Sequence, residues 1–195
     1  MAYPSRMPTR LHSKRTLLAA TVAGLALLAA GCGGSGDSSS STDVSPTTEW
    51  AEGLCSAINT FSTSITSIVD PIKSGDISED SLTTAVDDAK SATDTLVSDL
   101  EGLGKPDTEA GQEAKDSVDQ LSTDLQASVT TIEDELDGAS GIADYIAAAP
   151  AILTALGTMG TDVQSTFTTL QGLDAKGELE TAFEGASSCA DLTGS

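Results

Sequence analysis

From Glu49 to Ala186 the apolar residues return every three or four positions, and no stretch of useful length alternates. That single period restricts the chain to packed amphipathic helices. Trp50, Leu54, Ile58, Phe61, Ile65 and Ile68 form the first stripe, with Glu49 and Glu52 in its first turn, where acids suit the helix dipole. Asp70-Pro71 is expected to end it, because a residue before proline avoids the helical region. A capping box in its Asp form, Asp76-Ile77-Ser78-Glu79, opens the second segment. Its stripe is Leu82, Val86, Ala89, Thr93, Leu96, Leu100 and Leu103, and Gly104 with Pro106 closes it. The third carries Ala110, Ala114, Val118, Leu121, Leu125, Val129, Ile132 and Leu136, before Gly138 and Gly141. The fourth starts near Ile142 and runs through Ile146, Ala149, Leu153, Leu156, Met159, Val163, Phe167 and Leu170. Pro150 is expected to kink this helix or divide it. Leu179, Ala182, Phe183 and Ala186 make a short last segment.

The expected fold is all-α: an up-down-up-down four-helix bundle with a short C-terminal helix, filling residues 49–195 as one domain. Abundant Ser and Thr make these helices intrinsically mediocre, so packing must supply their stability. Two stretches, AKSATDTLVSDLE from Ala89 and AKDSVDQLSTDLQ from Ala114, agree at six of 13 positions. Two helices obeying one Ala/Leu/Asp pattern account for this without a duplicated hairpin.

The N-terminus has a different character. Arg6, Arg10, Lys14 and Arg15 precede an apolar run from Thr16 to Ala30, about 15 residues and so short for a membrane span. It ends Leu27-Leu28-Ala29-Ala30-Gly31-Cys32, which resembles the lipobox of bacterial lipoproteins, with Ala29 where Leu is commonest. The resemblance implies a signal peptide over 1–31 and diacylglycerylation of Cys32, the first residue of the mature protein. It further implies a chain held at the extracytoplasmic face of the cell membrane by its lipid anchor. Residues 33–48, GGSGDSSSSTDVSPTT, hold too little apolar surface to offset their ordering entropy, and are expected to form a disordered tether. Lipobox, spacer and two distal cysteines together resemble small helical lipoproteins of actinobacteria, a group without an assigned activity.

Beyond Cys32 there is no histidine and no arginine, and five lysines face all 30 acidic residues, a net charge near −25. A Ser-His-Asp or Cys-His arrangement cannot be assembled, and the commonest general base and metal ligand is missing. No guanidinium is available for bidentate recognition of phosphate. Nucleic acid would meet repulsion. The chain is accordingly not expected to be an enzyme, and no cofactor is implied. The acidic surface serves solubility first; it would also attract a basic partner or divalent cations.

Cys55 and Cys189 remain, and the exported compartment permits disulfides. An up-down-up-down order brings the start of helix one beside the end of helix four, so these two are expected to bridge.

Glu133, Glu135, Asp137 and Asp144, spaced around Gly138, faintly echo a calcium loop, but the first position is not Asp and the twelfth is not Glu. A solvated helix end before a Gly-rich turn is the preferred reading of these four residues. Trp50 is expected to cap the core, and Tyr145 carries the same ambiguity between core and contact residue. Gly157 and Gly160 allow either a close helix approach or a weak point. The Ala147–Ala151 run is expected to be buried. Two functions follow as expectations. The first is a non-catalytic interaction module that binds a protein or cell-wall component in the envelope. The alternative is a binding protein for a small solute or metal cation, using a pocket near Pro150.

Overall fold

In a computed structural model the described residues are 44–173 and 177–193. They form α1 (Pro46–Lys73), α2 (Glu79–Leu103), α3 (Gly111–Asp137), α4 (Ile142–Gly172) and α5 (Glu178–Gly185), then a 3-10 turn (Ser187–Cys189) and α6 (Ala190–Thr193). No strand occurs among the described residues. Cys32, the signal segment 1–31 and linker residues 33–43 lie outside them.

The four long helices are 28, 25, 27 and 31 residues, or about 37–47 Å at 1.5 Å per residue. Each packs on the next, α1 on α2, α2 on α3, and α3 on α4. The return contact of α1 with α4 is slighter, and α5 rests against both, mainly on α1. This is the expected all-α bundle. Leu54, Ile58, Leu96, Leu121, Leu125 and Leu156 are among the fully buried side chains at its centre. At one end Phe183 of α5 meets Phe167 of α4 edge-on at 5.2 Å and Trp50 of α1 at 6.2 Å. Trp50 is 5% exposed and its Nε1–H donates to the Gly104 carbonyl at 3.2 Å. Indole burial and the polar handle are thus both satisfied.

Several boundaries differ from expectation, each for a local reason. The first helix starts at Pro46, not Glu49, because Ser45 caps it by accepting from the Thr48 N–H at 3.1 Å and proline suits the first turn. Cys55 therefore sits more than two turns in. Nor does Asp70-Pro71 stop it. Pro71 is exposed, so the Ser67 carbonyl it leaves without a helical partner faces water. Termination comes at Gly75, whose φ of 92° suits glycine. There Gly75 N–H donates to Ile72 O at 3.1 Å and Asp76 N–H to Pro71 O at 3.0 Å, a Schellman closure. Helix α2 is capped by Ser78, not Asp76, in a reciprocal exchange with Ser81.

Helix α4 runs unbroken through Pro150, which corrects the expectation of a split. Pro150 and Ile146, four residues before it, are both exposed, so the carbonyl freed by proline lies on the solvent side. Ala149, Leu156, Met159, Val163, Phe167 and Leu170 of the expected stripe are buried, but its first part differs: Ile146 is 54% exposed and Leu153 half-buried, while Tyr145 and Ile152 face inward at 8% and 0%. Of the alanine run only Ala148 and Ala149 are buried. By length and hydropathy alone α4 could cross a membrane; here its large side chains from Ile152 to Leu170 fill the bundle core.

Candidate functional site

Charge is partitioned among the helices. Residues 53–69 of α1 and 145–161 of α4 contain no charged side chain. Helices α2 and α3 together carry 15 acids and two lysines. The two lysines are engaged: Lys90 Nζ with Glu133 of α3 at 2.8 Å, and Lys115 Nζ with Asp119 at 2.7 Å. These pairs are exposed and contribute little to stability.

A groove of about 430 Å³ runs where the uncharged stretch of α1 borders acidic α2. Phe61, Ile68 and Leu96 form its buried floor. Small side chains at the crossing, Ala57, Ser64, Ser91 and Ala92, leave the furrow unfilled. A second hollow of about 400 Å³ shares Ser67, Ile68 and Asp88 with the first and carries the furrow on to Pro71 and Ile72. Asp88 and Asp99 stand on its α2 rim, with Asp76 and Asp80 farther along. No lysine is among the residues that line either part.

Five hydroxyls on these rims share one geometry. Thr60, Thr63, Ser64 and Ser67 on α1, and Thr95 on α2, each donate to the carbonyl four residues back at 2.8–3.0 Å. Their protons are committed to the helix backbone. What faces the groove from those five positions is oxygen lone pairs, so with the carboxylates the surface accepts hydrogen bonds.

A second constellation ties the C-terminus to α1. Cys55 and Cys189 form a disulfide (S–S 1.99 Å) across 134 residues, and both are fully buried. Beside it the Glu52 carboxylate accepts from the Ser187 N–H at 2.6 Å, the Ser187 hydroxyl at 2.9 Å and the Ser188 N–H at 2.9 Å. The Ser188 hydroxyl also donates to it. Asn59 Nδ2 donates to the Ser188 carbonyl at 2.7 Å. The Ser188 hydroxyl and then the backbone donors of Ser188 and Ser187 hold the Glu52 carboxyl down to about 2. In the sequence Glu52 stands out only as a first-turn acid; its partners lie 135 and 136 residues away, a separation that no local pattern encodes.

The four residues of the calcium-like pattern do not converge. Glu133, Glu135 and Asp137 lie within α3, where alternate residues project roughly 200° apart. Glu133 pairs with Lys90, and Asp144 accepts from the Ser140 N–H and hydroxyl at 3.1 and 3.0 Å. Among the described residues no group of three or more His, Cys, Asp or Glu side chains is placed to hold a metal ion. Tyr145 lies 8% exposed beside Glu79; burial first, then that carboxylate, push its phenol up. Pro150 faces solvent and lines neither groove. Compared with known proteins, the chain matches no family model, no curated protein and no solved structure.

Proposed function

We propose that this chain is a lipid-anchored, extracytoplasmic, non-catalytic binding module, presented at the cell surface on Cys32 and using the α1–α2 groove as its contact face. The groove carries the reading: it combines a closed apolar floor with rims that accept hydrogen bonds. Such a surface can hold a partner without transforming it. The absence of His and Arg after Cys32 supports the non-catalytic part. The basic and apolar N-terminus, ending in Gly31-Cys32, supports the anchor.

The solute-binding alternative has less support, because Pro150, where its pocket was expected, is exposed and lines neither the α1–α2 furrow nor the cavity of about 260 Å³ between α1, α4 and α6. The anchor is tested by feeding cells an alkyne-bearing palmitate and isolating the chain. Label is expected on the natural protein and lost in Cys32→Ser; label retained in that variant overturns the anchor.

A further inference from the structure

We propose that the α1–α2 groove receives an extended, lysine- or arginine-bearing peptide segment of an envelope partner, a claim that rests on the binding-module reading and names its ligand class. Three features of the groove converge on that occupant.

The first is hydrogen-bond polarity. Thr60, Thr63, Ser64, Ser67 and Thr95 donate inward to their own helices, so at those five positions a ligand must bring the donors. A peptide backbone presents an N–H at each residue, and lysine and arginine add charged donors. The second is charge. Asp76, Asp80, Asp88 and Asp99 border the furrow, and no lining residue supplies a countercharge. Lys90, next along α2, is turned to Glu133 on α3. The third is shape. From Ala57 to Ile72 the furrow follows 15 residues of α1, about 22 Å, which an extended chain of about seven residues spans. Asp80 to Asp88 is about 12 Å along α2 and Asp88 to Asp99 about 16 Å, within reach of long cationic side chains four residues apart on one face of such a strand.

The floor argues against an amphipathic helix. Phe61, Ile68 and Leu96 are already 2%, 7% and 1% exposed, so an apolar face would gain little contact. Charge alone does not select the groove either, since α3 carries eight acids; Asp116 and Asp124 there serve as an internal control.

The test titrates the purified full-length chain with a capped octapeptide of alternating lysine and alanine, following amide shifts by NMR. Saturable shifts are expected along residues 57–72 and 80–99. Asp88→Asn with Asp99→Asn is expected to weaken binding at least tenfold, and Asp116→Asn with Asp124→Asn less than twofold. Equal losses from the two pairs, shifts spread evenly over α3, or no saturation would overturn the proposal. So would spermine binding as tightly with the same footprint, because that would assign the site to a polyamine. The chain's lipidation does not enter this measurement, so a negative result here leaves the anchor standing, and loss of the anchor leaves this result standing.

Discussion

At position 52 a single carboxylate takes four hydrogen bonds from two serines far along the chain, the Ser188 hydroxyl foremost, and its pKa is held at about 2 against an ordinary 4.5. Between those values the unfolded chain binds the proton and the folded chain does not. The stability that Glu52 contributes is therefore complete above about pH 5 and lost as pH falls through the folded value. Thermal midpoints of the natural chain and Glu52→Gln should differ most near pH 7, converge below about pH 4, and nearly coincide at about pH 2. A gap independent of pH would mean that the contact works by shape and not by charge. Close approach is the other matter decided by single residues. A Cβ on Gly111 would stand 2.1 Å from the Pro106 carbonyl oxygen, whereas one on Gly53 would meet only the Leu103 Cδ2 methyl at 2.4 Å. Backbone cannot step aside as a leucine methyl can. Gly111→Ala should cost about 1–3 kcal/mol in urea unfolding, and Gly53→Ala clearly less. Neither glycine was marked in the sequence, because both constraints come from neighbours that only the folded chain supplies.

Elements were the scale at which sequence spoke most plainly. The stripes of α1, α2 and α3 turned inward as their spacing required, since each mixes apolar and polar residues and leaves one face to choose. Even the shared Ala-Lys opening kept its inward side: Ala89 and Ala114 are both fully buried, while the lysines diverge, Lys115 to its own helix and Lys90 across to α3. In helix α4 the stripe departs from its spacing only at Ile146 and Leu153, because apolar residues crowd positions 142–156 and paths through Ile146 or through Ile152 fit the period almost equally. Tertiary packing alone decides between them. Ile152→Ala should therefore destabilise by about 2–5 kcal/mol and Ile146→Ala by under about 0.5 kcal/mol. Reversed magnitudes in chemical unfolding would restore the original stripe. The end of α1 was misplaced for a different reason: proline three residues from a terminus disturbs little, and glycine at 75 supplies the left-handed closure. The groove stayed hidden because its rim residues Thr60, Thr63, Ser64 and Ser67 read as ordinary solvated helix surface until α2 is laid beside them.

Taken as one object, the bundle closes its ring unevenly. Helices α1 and α4 touch over a shorter contact than the sequential pairs, and α5 with the following turn lies against that seam. Their attachment gathers at one end: Cys55–Cys189, the Glu52 clasp, Asn59 to Ser188, and the Phe183 contacts with Trp50 and Phe167. The bridge was legible from topology; the clasp beside it was not. Since the linked residues are 134 apart, the cross-link removes much of the unfolded chain's freedom, worth up to about 5 kcal/mol in the chain-entropy model. The native contacts around it gather at one end of α1, α4 and α5. Helix α2 packs on α1, α3 on α4, and the two on each other along their lengths, so loss of the bridge is expected to loosen that end before the middle of α2 and α3. Reduction, or paired Cys55→Ala and Cys189→Ala, should lower the unfolding midpoint and raise amide exchange first in residues 178–193 and the first turns of α1. Exchange in the middle of α2 and α3 should follow only at the global unfolding rate. Uniform acceleration through all four long helices would instead make the bridge a support of the whole core. If exchange at 178–193 held steady, the Glu52 clasp and Phe183 would be sufficient to keep the C-terminus in place without the covalent bond.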